Sequence, residues 1–236
     1  MEDIFGKALL DYLEGNDWKN IKTHSSVAGK DVMPLSYLFR AFEEMPLLEQ
    51  KALELCKGSV LDIGCGAGPH SLWLQNHGFK VTALDSSKGA IDTCRSLGIE
   101  KTVHCGVLDY SGTTFDTLLL LMNGIGIVGR LALLVTYLEH FKKLLNPGGQ
   151  VLMDSSNIIY MYEEDDDGGV WIPGDRDYYG EVEFTMEYKG QKSPSFYWLY
   201  LDFNTLENAA MAHGFTCDLV SQGEHYDYLA RLTLKK

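Results

Sequence analysis

Three glycines in five positions, Gly64, Gly66 and Gly68, follow directly on an apolar run that closes with Leu61, Asp62 and Ile63. Glycine lets the chain turn through positive φ and puts no Cβ between a ligand and the backbone, so this stretch suits a molecule lying against bare main chain. Spacing bears on which molecule. A dinucleotide fingerprint carries its third glycine one residue later, so that a pyrophosphate meets free N–H groups of a helix, and here Pro69 removes one of those donors. No phosphate cradle ending in Gly-Lys-Ser/Thr is present. Asp85, 21 residues beyond Gly64, could accept both hydroxyls of a ribose. Leu108 and Asp109 set an apolar side chain beside a carboxylate, a pair that can sandwich an adenine ring and accept from its amino group. Ribose and adenine without a pyrophosphate describe a nucleoside cofactor. Plainer readings stand beside these: a tight turn for the glycines, a helix cap for Asp85, and a simple turn for Asn123 and Gly124.

Such residues must be held by strands and helices. Short runs rich in Val and Leu at 59–63, 79–85, 101–105, 115–122 and 149–155 read as strands buried on both faces. Helices are expected between them at Pro69–His77, Ser87–Leu97 and Arg130–Leu145, the first two followed by glycine and the last by Pro147-Gly148-Gly149. Strict alternation implies an α/β fold with a doubly wound, mostly parallel, Rossmann-like sheet. Residues 1–57 read as helices, with Leu35, Leu38, Phe39 and Phe42 at helical spacing and a second helix opening at Pro46. Beyond residue 155 the alternation stops, and 180–190 with 193–203 read as two antiparallel strands inserted after the fifth strand. A helix at 205–213, capped by Asn204, and two final strands complete a seven-stranded sheet.

The segment Ser59–Asn157 resembles the class I S-adenosylmethionine-dependent methyltransferases. The resemblance rests on five motifs in order: LDIGCGAG, VTALDSS, GVLDY, FDTLLLLMNGIG and LLNPGGQVLMD. It implies S-adenosyl-L-methionine as cofactor, with Asp62, Gly64, Cys65, Gly66 and Gly68 around its methionine part and Asp85 on the ribose. Ser86 or Ser87 would lie beside the adenine, Leu108 and Asp109 on the base, and Asn123 near sulfonium and acceptor. The expected organisation is a helical N-terminal cap at 1–58 and a methyltransferase domain at 59–236, with the insertion at about 157–203. Tyr37 and Arg40 are candidates for closing the site and gripping the cofactor's carboxylate. MNGIG departs from the Asn/Asp-Pro-Pro-Tyr/Phe signature for methylating amino groups of DNA bases or glutamine, so those acceptors lose support.

A small-molecule acceptor is expected, with Tyr160, Tyr197 and Trp198 as its contacts and Tyr178, Tyr179 and Tyr200 nearby. Methyl transfer from a sulfonium depends on in-line positioning and water exclusion, so no dedicated base is required. If one is used, Tyr160, Tyr197, Asp202 and His225 are the candidates. Along 196–202 alternation sends one set of side chains to the core and leaves open whether the other meets solvent or substrate. A net charge of −13 and no Lys/Arg cluster beyond a pair argue against nucleic acid. No run is long and apolar enough for a membrane span, so a cytoplasmic location is expected. The 5 cysteines show no metal-site spacing, and EEDDDGG at 163–169 lacks the alternation of a calcium loop, so no metal is expected. Two other classes remain in view: a non-catalytic cofactor-binding or interaction protein, and a nicotinamide-dependent oxidoreductase, which the glycine spacing disfavours.

Overall fold

A computed structural model describes residues 3–163, 165, 169–172, 174 and 176–235; the acidic run at 163–169 therefore falls partly outside the described residues. The core alternates β3 (Ser59–Ile63), α4 (Pro69–Asn76), β4 (Lys80–Asp85), α5 (Lys88–Ser96), β5 (Thr102–His104), β6 (Phe115–Leu120), α6 (Leu134–Leu144) and β7 (Leu145–Ser156). It is followed by α7 (Phe203–Ala212), β11 (Phe215–Gln222) and β12 (Asp227–Leu234). The seven strands run in the order β11-β12-β7-β6-β3-β4-β5. From β7 to β5 they pair in parallel, while β12 and β11 add antiparallel strands at one edge. The chain winds outward from β3 to β5 and then returns to β6 on the other side of β3. That reversal opens a crevice at the carboxyl ends of the central strands, where open α/β sheets bind ligands.

Local chemistry accounts for these elements. β3, β4 and β6 are buried along nearly their whole length, which explains why they are mostly apolar instead of alternating apolar with polar residues. Ser87 caps α5 through its Oγ, which accepts from Ala90 N at 3.0 Å. α6 buries Leu134, Leu138, Phe141 and Leu144, and residues 131–133 expected to begin it form a 3₁₀ turn instead. The cap of α7 is Asp202 rather than Asn204, because Asp202 Oδ1 accepts from Thr205 N at 3.0 Å.

The N-terminal segment holds helices α1 (Ile4–Leu13), α2 (Leu35–Leu38) and α3 (Leu47–Leu55), but also a hairpin, β1 (Ile21–Ser25) and β2 (Gly29–Met33), that a wholly helical reading does not anticipate. Ala41 is extended, with ψ of 167°, and this breaks the helix expected through Phe42. In the insertion lie β8 (Glu181–Tyr188), β9 (Gln191–Lys192) and β10 (Phe196–Leu199). β8 pairs with β10 on one side and β1 on the other, so hairpin and insertion form one antiparallel sheet in the order β10-β8-β1-β2, with β9 beside β8. No helix among the described residues is long and apolar enough to cross a membrane.

Candidate active site

A cavity of about 830 Å³ opens at the carboxyl ends of β3 to β6, between the parallel sheet, α1 and the small sheet. Its floor is the glycine turn. Gly64 and Gly66 line it at φ of 74° and 55°, and both Gly64 N and Cys65 N donate to Leu84 O, at 2.8 and 3.1 Å. This stitches the loop to β4 and leaves its outer surface bare. Gly68 serves the packing instead. At φ of 85° it starts α4, and a Cβ there would lie 2.8 Å from Cys94 Sγ. It seats the loop on α5 and is not part of the cavity wall.

Asp85 ends β4 with only 9% of its surface exposed. Gly66 N donates to its Oδ2 at 2.9 Å and Ser87 N to its Oδ1 at 2.8 Å, which fixes the carboxylate and still leaves each oxygen able to accept. Burial pushes its pKa above the usual carboxylate value, against the pull of those two backbone donors. Asp62, also in the wall, accepts from Ser71 Oγ at 2.6 Å, and burial raises its pKa too. Ser86 and Ser87 line the cavity beside Asp85.

α1 roofs this end. Asp3 Oδ1 caps the helix by accepting from Gly6 N at 2.9 Å, while its Oδ2 accepts from Ser87 Oγ and Gly89 N, both at 2.8 Å. Gly6 and Gly89 bring the two backbones so close that a Cβ on either would collide with the other. Phe5 is thereby carried over Gly66, where an added Cβ would stand 3.8 Å from its ring.

Past β5 the expected pair turns away. Residues 107–109 form a 3₁₀ turn that sends Val107 inward and leaves Leu108 40% exposed, so Gly106 and Val107 face the cavity while Leu108 and Asp109 do not. Asn123 does reach the wall. It sits at φ of 55° behind Met122 at 66°, two left-handed non-glycine residues in succession, a strained arrangement typical of functional loops. Its side chain is committed to the fold: Oδ1 accepts from Ser155 Oγ at 2.8 Å and Nδ2 donates to Leu199 O at 3.1 Å. Behind it the half-buried Asp154 accepts from Gly124 N at 2.9 Å, and loss of solvent around the carboxylate raises its pKa to about 6.

The far end is built by the small sheet. Phe196, Trp198 and Tyr200 face the cavity, while Leu199 and Leu201 enter the core, which decides the face left open by alternation. Tyr197 packs under Arg130, whose guanidinium carbon lies 3.8 Å from its ring centroid, and Tyr160 stacks on Tyr226 at 4.8 Å; neither lines the cavity. Asp202 is occupied with the α7 cap and with Tyr178, whose hydroxyl donates at 2.6 Å. His225 is exposed, away from the site. Of the three acceptor contacts expected from sequence, only Trp198 is brought to the cavity.

Tyr37 and Arg40 lie outside the wall as well. Arg40 is buried with its guanidinium 4.0 Å over the Tyr37 ring, and its Nη2 donates to Glu49 Oε2. The same Glu49 oxygen stands 2.7 Å from Nε2 of His70, which does line the cavity. Burial opposes ionisation of Glu49, but His70 and Arg40 outweigh it and hold its pKa below the usual value. With Glu49 ionised, His70 donates through Nε2. His70 and the inward rings of Phe184 and Phe196 were not singled out from sequence. Their only signals were a histidine two residues after Gly68 and the alternation of 196–200.

With this geometry in place, comparison with known proteins bears on its origin. Residues 60–149 match a family model described as a methyltransferase domain. A crystal structure of a SAM-dependent methyltransferase from Bacteroides fragilis, in complex with S-adenosyl-L-homocysteine, is 40% identical with a TM-score of 0.91, over 99% of this chain and 95% of that one. The chain belongs to the S-adenosylmethionine-dependent methyltransferase family. A Streptomyces cypemycin N-terminal methyltransferase is 26% identical over 139 residues, 57% of each chain, so the match spans little more than half of that relative. The Burkholderia thailandensis 1,6-didemethyltoxoflavin-N1-methyltransferase, solved with 1,6-didemethyltoxoflavin and S-adenosylhomocysteine, is 19% identical with a TM-score of 0.52, covering 80% of this chain and 79% of that one, a likeness of fold. Among the described residues of this methyltransferase, no group of three or more His, Cys, Asp or Glu side chains could hold a metal ion.

Proposed function

We propose that this protein transfers a methyl group from S-adenosylmethionine to a small-molecule acceptor held in the same cavity. The observation that carries the reading is the division of one cavity into two unlike halves. One half has the bare backbone of Gly64 and Gly66 with the anchored carboxylate of Asp85; the other is walled by aromatic and thioether side chains.

The first half fits the cofactor. Gly64 and Gly66 would hold its amino-acid part, with Asp62 placed for the ammonium, and Asp85 would accept from the ribose hydroxyls. Gly106 and Val107, rather than Leu108 and Asp109, would flank the base. When bound, S-adenosylmethionine supplies a methyl group on a positively charged sulfur; the acceptor's lone pair forms the new bond to carbon, the carbon–sulfur electrons return to sulfur, and any acceptor proton leaves to base or water. The chain's own part is positioning and exclusion of water, which can supply about 7 to 11 kcal/mol for well-oriented groups. α1, latched by Asp3, covers the cofactor half, and the small sheet covers the acceptor half. A net charge of −13 disfavours a polyphosphate acceptor.

Two measurements test this. Calorimetry is expected to show one S-adenosylhomocysteine per chain; no heat at millimolar ligand would remove the cofactor reading. Radiolabelled methyl groups are expected to pass into a small-metabolite extract only when the protein is present. Cofactor binding without transfer would favour the non-catalytic alternative.

A further inference from the structure

The acceptor half has a composition and ring arrangement that specify a class of molecule, given the methyl-donor site proposed above. The small sheet sends Met33, Phe184, Met186, Phe196, Trp198 and Tyr200 into the cavity, with Thr23 beside them, and none carries a charge. Charged wall residues, Asp3, Asp62, Asp85 and Lys88, all belong to the ends of β3 and β4, the start of α5 or the N-terminus of α1. We infer that the acceptor is an uncharged, planar aromatic or heteroaromatic molecule that stacks in this slot.

Ring geometry supports a slot rather than a cage. Phe184 and Phe196, paired across β8 and β10, have centroids 6.1 Å apart with planes 20° from parallel. Phe184 and Tyr200 are 6.4 Å apart at 30°, so Phe184 is roughly parallel to a ring on either side of it in the array. A flat guest can lie offset-stacked or edge-on against all of them. Trp198 stands across this array at 84° to Phe196, and its indole is packed so closely on Gly126 that any Cβ there would collide with it. The slot therefore has a fixed end wall. Met33 and Met186 add polarizable, adaptable contacts suited to ring edges. An ammonium acceptor would instead call for ring faces converging on one point, usually with a carboxylate nearby. Tyr200 supplies the polar handle, since its hydroxyl has no hydrogen-bond partner among the described residues.

The test is calorimetry at pH 7 on protein saturated with S-adenosylhomocysteine, with 2-naphthol, tetramethylammonium and glucosamine as probes. The expected result is one 2-naphthol per chain, bound at least about tenfold more tightly than either other probe. Phe184→Leu and Trp198→Leu are each expected to weaken it about fivefold or more while S-adenosylhomocysteine affinity stays within about twofold, which also reports that the variants fold. Tighter binding of tetramethylammonium or glucosamine overturns the inference, as does 2-naphthol binding that is absent or indifferent to both substitutions. If S-adenosylhomocysteine itself gives no heat, the methyl-donor reading fails separately. The slot is then judged by 2-naphthol on the unliganded protein and its two variants, by the same criteria.

Discussion

Asp85 is the side chain on which the proposed cofactor site turns. Its oxygens are oriented by Gly66 N and Ser87 N, so a ribose would meet a carboxylate already fixed in place. Asp85→Ala should weaken S-adenosylhomocysteine binding by about 1.5 to 3 kcal/mol, the scale of a hydrogen bond to a charged group, read by calorimetry. An unchanged affinity would place the ribose elsewhere. Asp154 gives a pH prediction. Its folded pKa of about 6 lies above the ordinary aspartate value of 3.8, so its favourable contribution is present below about pH 4 and lost as pH rises through about 6. The stability of Asp154→Asn relative to the unsubstituted protein should therefore improve by about 2 to 3 kcal/mol between pH 4 and 7, in paired urea titrations. A constant difference across that window would mean that Asp154 does not titrate there. Gly64, Gly66 and Asp85 were legible in sequence because strand, turn and carboxylate are set by local spacing. Leu108 and Asp109 lie outside the cavity wall because a 3₁₀ turn, which leaves no periodic trace in sequence, puts Gly106 and Val107 there instead. The Arg40–Glu49–His70 cluster was not legible because three separate elements bring it together.

The parallel strands could be read as elements because burial on both faces leaves short runs rich in Val and Leu, and their length and the glycine-ended helices between them separate these from buried helix. The small sheet could be read only in part: the antiparallel pair β8 and β10 was legible, but its join to β1 and β2 was not. β1 meets β8 in pairs such as Thr23 with Met186, and no window of sequence contains both partners. Consequently the alternation along β10 was visible while its inward face was not. The junction of α1 with α5 carries its own prediction. Gly89→Ala places a methyl group against the backbone of Gly6 and should destabilise the protein by about 1 to 3 kcal/mol, the usual cost of overpacking. Asp3→Ala removes the helix cap together with the bonds to Ser87 and Gly89. Both variants should be cut faster by protease at 14–20, between α1 and β1, and S-adenosylhomocysteine should slow that cutting. Cutting rates equal to those of the unsubstituted protein would show that α1 is not held by this contact.

At the scale of the whole molecule, one cavity lies between two sheets, a parallel core to which the proposed reading gives the cofactor and a composite antiparallel sheet to which it gives the acceptor. The net charge of −13 should favour the cationic sulfonium over the neutral thioether at a distance. Raising salt from about 20 mM to 500 mM, which shortens the Debye length to a few ångströms, should lower the affinity for S-adenosylmethionine relative to S-adenosylhomocysteine. A ratio that does not move would confine the electrostatics to the wall itself. The most direct test of the central claim is a crystal structure with S-adenosylhomocysteine. The ribose is expected on Asp85, the amino-acid part along Gly64–Gly66, and the sulfur facing the slot of Phe184 and Trp198. Density for that ligand outside this cavity, or inside it with the sulfur turned away from the small sheet, would contradict the claim.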